Sequence, residues 1–228
     1  MQEAPHARVP AEVMTRSEQL ELKERARKAF YHSYNSYMTY AYPQVGDAAL
    51  ALLLACLPSL APLTCLSHPS HPPTHPQAEL KPISCSGGNF DLIKIPLVTL
   101  IDSLDTLVIL GNHSEFRRVV SLVSSELPSF NLDVNVSVFE TTIRVLGGLL
   151  SAHLMAIDPE LQIYPSSSSS APDGPLRYNG RLLQLSLDLG ERLLPAFATR
   201  TGIPYGTVNL RSGVPRGETK IASTAGAG

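Results

Sequence analysis

The run from Val136 to His153, VSVFETTIRVLGGLLSAH, constrains this chain more than any other stretch, because apolar residues at helical spacing carry a carboxylate and a guanidinium one turn apart. On a helical wheel Phe139, Ile143, Leu146 and Leu150 form one apolar stripe. Glu140, Arg144, Gly147 and Ser151 cluster a quarter to a third of a turn away. Each glycine costs a helix about 1 kcal/mol relative to alanine, so Gly147 and Gly148 predict that another backbone or a ligand comes close on that side. Taken alone, Glu140 and Arg144 read most simply as an ion pair on a solvated face, worth about 0.2–0.5 kcal/mol.

Helical spacing recurs along the chain. Ser17 is placed to cap a helix carrying Leu20, Leu22, Ala26, Phe30 and Tyr34, which ends before Pro43. Thr99 precedes Leu100, Ile101, Leu104, Leu107 and Val108. Ser114 caps a helix with Phe116, Val119, Val120 and Val123 inward, and Tyr178 to Leu194 sets Leu182, Leu185, Leu189 and Leu193 on one face. PSSSSSAPDGP, Pro165 to Pro175, reads as a mobile surface linker, and GIPYGTVNLRSG as a short strand and turn. The chain is therefore expected to be all-α with a short β-hairpin near its C-terminus. A net charge of −2, no tryptophan and no basic run give it no electrostatic or stacking platform for nucleic acid, and no attraction to anionic membrane.

The motifs carry a resemblance. VFETTIRVLGGLLSAH resembles the signature helix of the family 47 glycoside hydrolases, the class I α-1,2-mannosidases of the secretory pathway. TLIDSLDTLVILGNHSEFRRVV (Thr99 to Val120), RLLPAFATRTGIPYGTVNLRSGV (Arg192 to Val214), STAGAG (Ser223 to Gly228) and the opening KAFYHSYNSYMTYAYP (Lys28 to Pro43) are similar, in order and spacing, to the ER degradation-enhancing mannosidase-like branch. The likeness runs from about Leu22 onward, broken only by one interruption and the linker at Pro165. It implies an (αα)7 barrel of which this chain is an incomplete, N-terminal portion, with apolar helix faces left uncovered. It also implies an α-1,2-mannosidase that trims high-mannose N-glycans of misfolded glycoproteins in the ER lumen. Two alternatives stay open: a lectin-like glycan-binding protein of the same degradation route, and a non-functional product of a faulty gene model.

The interruption lies between AYPQ and ELKPISC, which adjoin almost directly in that family. Val45 to Gln77 reads as an unspliced intron translated in frame, since Val admits a GT donor, Gln a CAG acceptor, and the Ser, Pro, His, Leu and Thr codons a pyrimidine tract. A disordered natural insert is the alternative. Ala48 to Leu66 is uncharged and near the roughly 20 residues of a membrane span, but Pro58 and Pro62 oppose that reading. Proline beside each of His68, His71 and His75 denies them a shared helical face for zinc. The domain plan is then a disordered N-terminus over 1–16, family sequence over 17–44 and 78–228, and an insert over 45–77. Cys56 and Cys65 belong to the insert, which leaves Cys85 as a free or intermolecular thiol. The resemblance implies a lumenal setting for it and, as in some relatives, contact with a protein disulfide isomerase through Cys85. The sequons at Asn112 and Asn135 suit the same compartment as glycosylation sites, although MQEAPHARVPAEVMTRSEQ shows no signal-peptide core.

Inverting glycoside hydrolysis needs one carboxylic acid to protonate the leaving oxygen and one carboxylate to activate water. By resemblance Glu140 is the general acid. A guanidinium paired directly to an acid favours its ionised form, so Arg144 is read instead as the residue that touches the oligosaccharide. Asp102 and Asp105 of LIDSLDTL are the other substrate-binding candidates. Thr99 and Asp102 also have capping-box spacing, so a helix-cap role for Asp102 stays open. The resemblance places the second catalytic carboxylates, and the threonine that holds a calcium ion, in later helices. No calcium loop of the D-x-[DN]-x-[DN]-G kind occurs here. The 228-residue polypeptide is accordingly expected to lack metal ligands and mannosidase activity of its own.

Overall fold

The structure, a computed structural model, describes residues 14–42, 75–164, 177–217 and 221. The readings of residues 1–13, of most of the insert with Cys56, Cys65, His68 and His71, of the Pro165 linker and of STAGAG lie outside the described residues.

Helix α1, Arg16–Tyr40, is capped by Thr15, two residues before the expected Ser17. Thr15 Oγ1 accepts from the Glu18 amide at 3.3 Å while Glu18 Oε2 accepts from the Thr15 amide at 2.7 Å. This is a reciprocal T-x-x-E capping box, a pattern more specific than a lone serine. Leu20, Leu22 and Ala26, expected inward, are exposed; α1 packs only through its C-terminal part, where Tyr34 and Tyr37 are buried. Its tyrosine hydroxyls do the anchoring: Tyr37 OH donates to Gln77 O at 2.7 Å, Tyr34 OH donates to Glu115, and Tyr31 OH accepts from Asn112 Nδ2 at 3.0 Å. The chain leaves this helix at Tyr42 and is next described at His75, and the two sides meet where the Gln77 amide donates to Ala41 O at 3.1 Å.

Strands β1, Glu79–Lys81, and β2, Ser86–Gly88, pair antiparallel with Glu79 opposite Gly88. Between them Cys85 is buried and disulfide-bonded, its partner outside the described residues. That corrects the expectation of a free or intermolecular thiol there.

Helix α2, Val98–Ile109, follows Leu97 in the left-handed region, φ 66, with no side-chain cap. Thr99 instead donates to Ala78 O at 2.8 Å, so the capping-box reading of Thr99 and Asp102 is overturned. Seven of the twelve residues of α2 are buried, which makes it the central element, with Asp102 and Asp105 on what remains. The chain turns at Gly111, φ 78, into helix α3, His113–Glu126. Asn112, not Ser114, caps α3: its Oδ1 accepts from the Glu115 amide at 3.2 Å. Phe116, Val119, Val120 and Val123 are buried as expected.

Strand β3, Asn135–Ser137, runs into helix α4, residues 138–157. This helix comprises Val138–Glu140, a π-helical segment Thr141–Leu146, and Gly147–Ile157. Helix α5, Arg181–Leu193, buries Leu182, Leu185, Leu189 and Leu193 as expected and tightens into a 3-10 turn at Leu194–Phe197. Strand β4, Thr207–Asn209, turns back on itself as expected, Asn209 and Gly213 exchanging antiparallel backbone bonds of 2.8 and 2.9 Å. It pairs antiparallel with β3, Val136 opposite Val208, so the C-terminal strand braces the entry to α4. The whole is a mostly helical fold with two small antiparallel strand pairs: α2 packs on α3 and α4, and α4 on α5.

The buried face of α4 is Val138, Thr141, Val145, Leu149, Ala152 and Ala156. The expected stripe is wrong: Ile143 is 46% and Leu150 38% exposed. Both sides of this helix are apolar, so the wheel alone did not distinguish core from surface. The glycines divide as well. A Cβ on Gly148 would lie 3.1 Å from Ile101 Cγ2 and 3.3 Å from Ile101 O, whereas one on Gly147 meets only Thr142 O at 3.4 Å. Another backbone does come close, at one glycine of the two. Gly148→Ala is expected to destabilise by about 1–3 kcal/mol through overpacking. Gly147→Ala is expected to be neutral or to stabilise by up to about 1 kcal/mol. Urea unfolding midpoints of the two variants check the opposite signs.

Candidate active site

Helix α2 presents Asp102 toward α4, whose π-helical segment presents Arg144 in return. A π segment is rare and recurs at functional positions. Here it lies next to Glu140 and contains Arg144. Arg144 Nε donates to Glu140 Oε2 at 2.7 Å, and Arg144 Nη1 stands 3.4 Å from Asp102 Oδ2. The guanidinium therefore bridges two carboxylates from two helices. The contact with Glu140 is the ion pair that the two residues suggest when read alone, here extended to Asp102. The Glu140 side chain is 19% exposed, that of Asp102 35% and that of Arg144 42%, so the pairs lie recessed but wet, and each adds little to stability.

Asp102 and Arg144 line a cleft of ≈ 270 Å³ together with Ala78, Glu79, Phe90, Val98 and Thr99; Glu140 is not among its lining residues and reaches it through Arg144. Partial burial holds the Asp102 carboxyl above the usual aspartate range. Arg144 pulls it down, the charges of Asp105 and Glu140 add to the rise, and the rise prevails. Asp105 is not among the lining residues; it acts on the cleft through its charge at Asp102. A larger cavity, ≈ 420 Å³, lies between α1, β1 and α2 and shares Glu79 and Thr99 with the cleft. The hydroxyls of Tyr34, Tyr37, Thr99 and Ser103 on its wall are already spent on protein acceptors, which makes it the poorer chemical site.

Three features of the site escaped sequence reasoning. Phe90 lies with its ring 5.4 Å from Arg144 Cζ, Glu79 lines both cavities, and Thr141 is buried at 0% exposure with no partner for its hydroxyl among the described residues. No periodicity marks a lone phenylalanine after SGGN, and a threonine does not advertise itself as core. The two sequon asparagines sit apart from the cleft. Asn112 is tied into the α3 cap and to Tyr31, while Asn135 is exposed on β3 and accepts from Asn209 Nδ2 at 2.9 Å. Among the described residues no group of three or more His, Cys, Asp or Glu is placed to hold a metal ion, so the calcium implied by the resemblance finds no ligand set there.

The glycosyl hydrolase family 47 model matches residues 74–228. The chain is 40% identical over 210 residues to ER degradation-enhancing alpha-mannosidase-like protein 2 of Mus musculus, covering 90% of this chain and 28% of that protein. It is 40% identical over 223 residues to Alpha-mannosidase I MNS4 of Arabidopsis thaliana, covering 98% and 28%. The chain thus spans less than a third of the length of these curated relatives. Among solved structures, an alpha-1,2-mannosidase from Trichoderma reesei superposes with a TM-score of 0.56 at 24% identity, over 86% of this chain and 32% of that one. At that identity the likeness is one of fold.

Two outcomes are expected. Because Asp102 is raised in the folded state, its favourable contribution is complete below the ordinary aspartate pKa, about 3.9, and is lost as pH rises through the folded value. The stability of the native protein relative to Asp102→Asn should therefore fall as pH climbs from about 4; urea midpoints across that range check it, and a rise would reverse the sign. Thr141→Val, which removes an unpaired buried hydroxyl at constant shape, should stabilise by about 1–3 kcal/mol. A loss on thermal unfolding would show that a buried partner satisfies Thr141.

Proposed function

Since the chain belongs to glycosyl hydrolase family 47, we propose that it carries the acid side of an α-1,2-mannosidase site, acting with inversion on high-mannose N-glycans of misfolded glycoproteins in the ER lumen. The observation that carries this reading is the Arg144 bridge between Glu140 and Asp102 at the edge of a cleft. Glu140 is the proton donor. Its Oε2 is occupied by Arg144, which leaves Oε1 as the oxygen free to face a leaving group. Arg144 offers the glycan its remaining N–H groups, and Asp102 holds the guanidinium from the other side. In this reading the family's (αα)7 ring supplies the remaining wall, the base that activates water, and the calcium site. Asn135 and Asn112 are the glycosylated positions in this reading.

The direct Arg144–Glu140 pair also suits a second reading, a lectin-like site that binds glycan without turning it over. In a protein of the relatives' full length, Glu140→Gln separates the two. An enzyme should lose about 10²–10⁴-fold in mannose release while keeping glycan affinity; a lectin should release none before or after the change. The 228-residue chain by itself is expected to release no mannose from a high-mannose glycan, and measurable release by a purified sample of the right mass would overturn that.

A further inference from the structure

Arg144 is held on three sides. Glu140 takes Nε, Asp102 faces Nη1, and the Phe90 ring lies against the guanidinium with Cζ 5.4 Å from its centre. Nη2 has no hydrogen-bond partner among the described residues. The two carboxylates fix edges of the guanidinium but not its plane, because a group held along edges can still roll. An aromatic ring with Cζ over its face opposes the roll, through the attraction between a cation and the ring's electron-rich face.

Phe90 is itself fastened to the element that carries Arg144. Its carbonyl accepts from the amides of Ile93 at 3.0 Å and Lys94 at 2.7 Å, closing a turn, and within that turn Leu92 O accepts from the Ser137 amide at 2.7 Å. Ser137 is the cap of α4, its Oγ accepting from the Glu140 amide at 3.4 Å. Ring, acid and guanidinium are thus referenced to one stretch of backbone. Phe90 also lines the cleft beside Asp102 and Arg144.

The geometry points to Phe90 as a positioning residue: its ring sets the guanidinium plane so that Nη2 and the outer hydrogen of Nη1 are offered together to two adjacent hydroxyls of a hexose in the cleft. A planar fork recognises a pair of oxygens only when the plane is right. The identity of the ligand rests on the glycan reading above; the hold on Arg144 does not.

The test uses the 228-residue chain with Phe90→Leu, which keeps apolar bulk and removes the ring, and Phe90→Tyr, which keeps the ring. Phe90→Met repeats the non-aromatic arm should the leucine variant not fold. Solvent exchange of the Arg144 Nε–H, followed by NMR, and affinity for α-1,2-mannobiose are both measured. The non-aromatic variants should exchange several-fold faster and bind about two- to fivefold more weakly, with Phe90→Tyr restoring both. Unchanged exchange in the leucine or methionine variant, or a folded tyrosine variant that restores neither readout, overturns the role of Phe90. Failure of the native chain to bind mannobiose overturns the ligand named here and the glycan reading with it, while the exchange result still decides whether the ring holds Arg144.

Discussion

The contact between α2 and α4 at Gly148 is the constraint on which the cleft depends. With no Cβ at that position, α4 comes down onto the Ile101 carbonyl and side chain. Asp102 is the next residue on α2, and Arg144 lies one turn before Gly148 on α4. The spacing of the two backbones therefore decides whether a guanidinium rooted on α4 reaches a carboxylate rooted on α2. A side chain at 148 would push apart the helices that bring Arg144 Nη1 within 3.4 Å of Asp102. Packing and site are one feature here: the residue that closes the core also sets the width of the charged bridge.

The π-helical turn belongs to the same arrangement. It begins directly after Glu140, and through it Val138, Thr141 and Val145 stay on the core side while Arg144 projects to the flank that faces α2. Thr142 Oγ1 bonds back to Val138 O at 2.8 Å, satisfying one carbonyl in the widened turn. The pairing of β3 with β4, and the Ser137 amide bonded to Leu92 O, hold the start of α4 from two further directions. The opposite side is a different matter. Ile143, Leu150, Leu154 and Ile157 on α4, and Leu183 and Leu187 on α5, remain exposed, apolar rows with no cover among the described residues. Uncovered faces of this kind agree with helices drawn from a larger helical assembly.

How much of this was legible in the sequence depended on whether a residue's role was local. The inward faces of α3 and α5 were read correctly because Phe116, Val119, Val120 and Val123, and Leu182, Leu185, Leu189 and Leu193, keep the three-and-four spacing of a single helix face. On α4 apolar residues occupy both sides, and the one polar core residue, Thr141, hides the true face. Caps were missed by two residues at Thr15 and Asn112, where side-chain and backbone bonds, not residue type alone, choose the cap. Asp102, Glu140 and Arg144 were picked out as individuals, but their union was not, since the bridge from Arg144 to Asp102 spans 42 positions. Phe90 was invisible for the same reason. The disulfide at Cys85 went unforeseen because a thiol's pairing depends on fold, not on count.

Charge in the cleft points one way when its signs are added. Glu140, Asp102 and the nearby Asp105 confront one guanidinium, so negative groups outnumber positive ones and one carboxyl is pressed to keep its proton. That pressure falls on Asp102, partly buried and faced by two like charges, with Arg144 at 3.4 Å where Glu140 has it at 2.7 Å. An anionic ligand would add to the repulsion, and a cation would have to compete with Arg144. A neutral polyol does neither: it gives hydroxyl oxygens to the arginine and hydroxyl protons to the carboxylates, each at the cost of a bond to water. Because one cation serves both carboxylates, a ligand that draws on Arg144 changes the field at Glu140 and at Asp102 together. Recognition by the arginine and the charge balance of the cleft are for this reason a single electrostatic event, with Asp102 as the residue that links the two helices taking part in it.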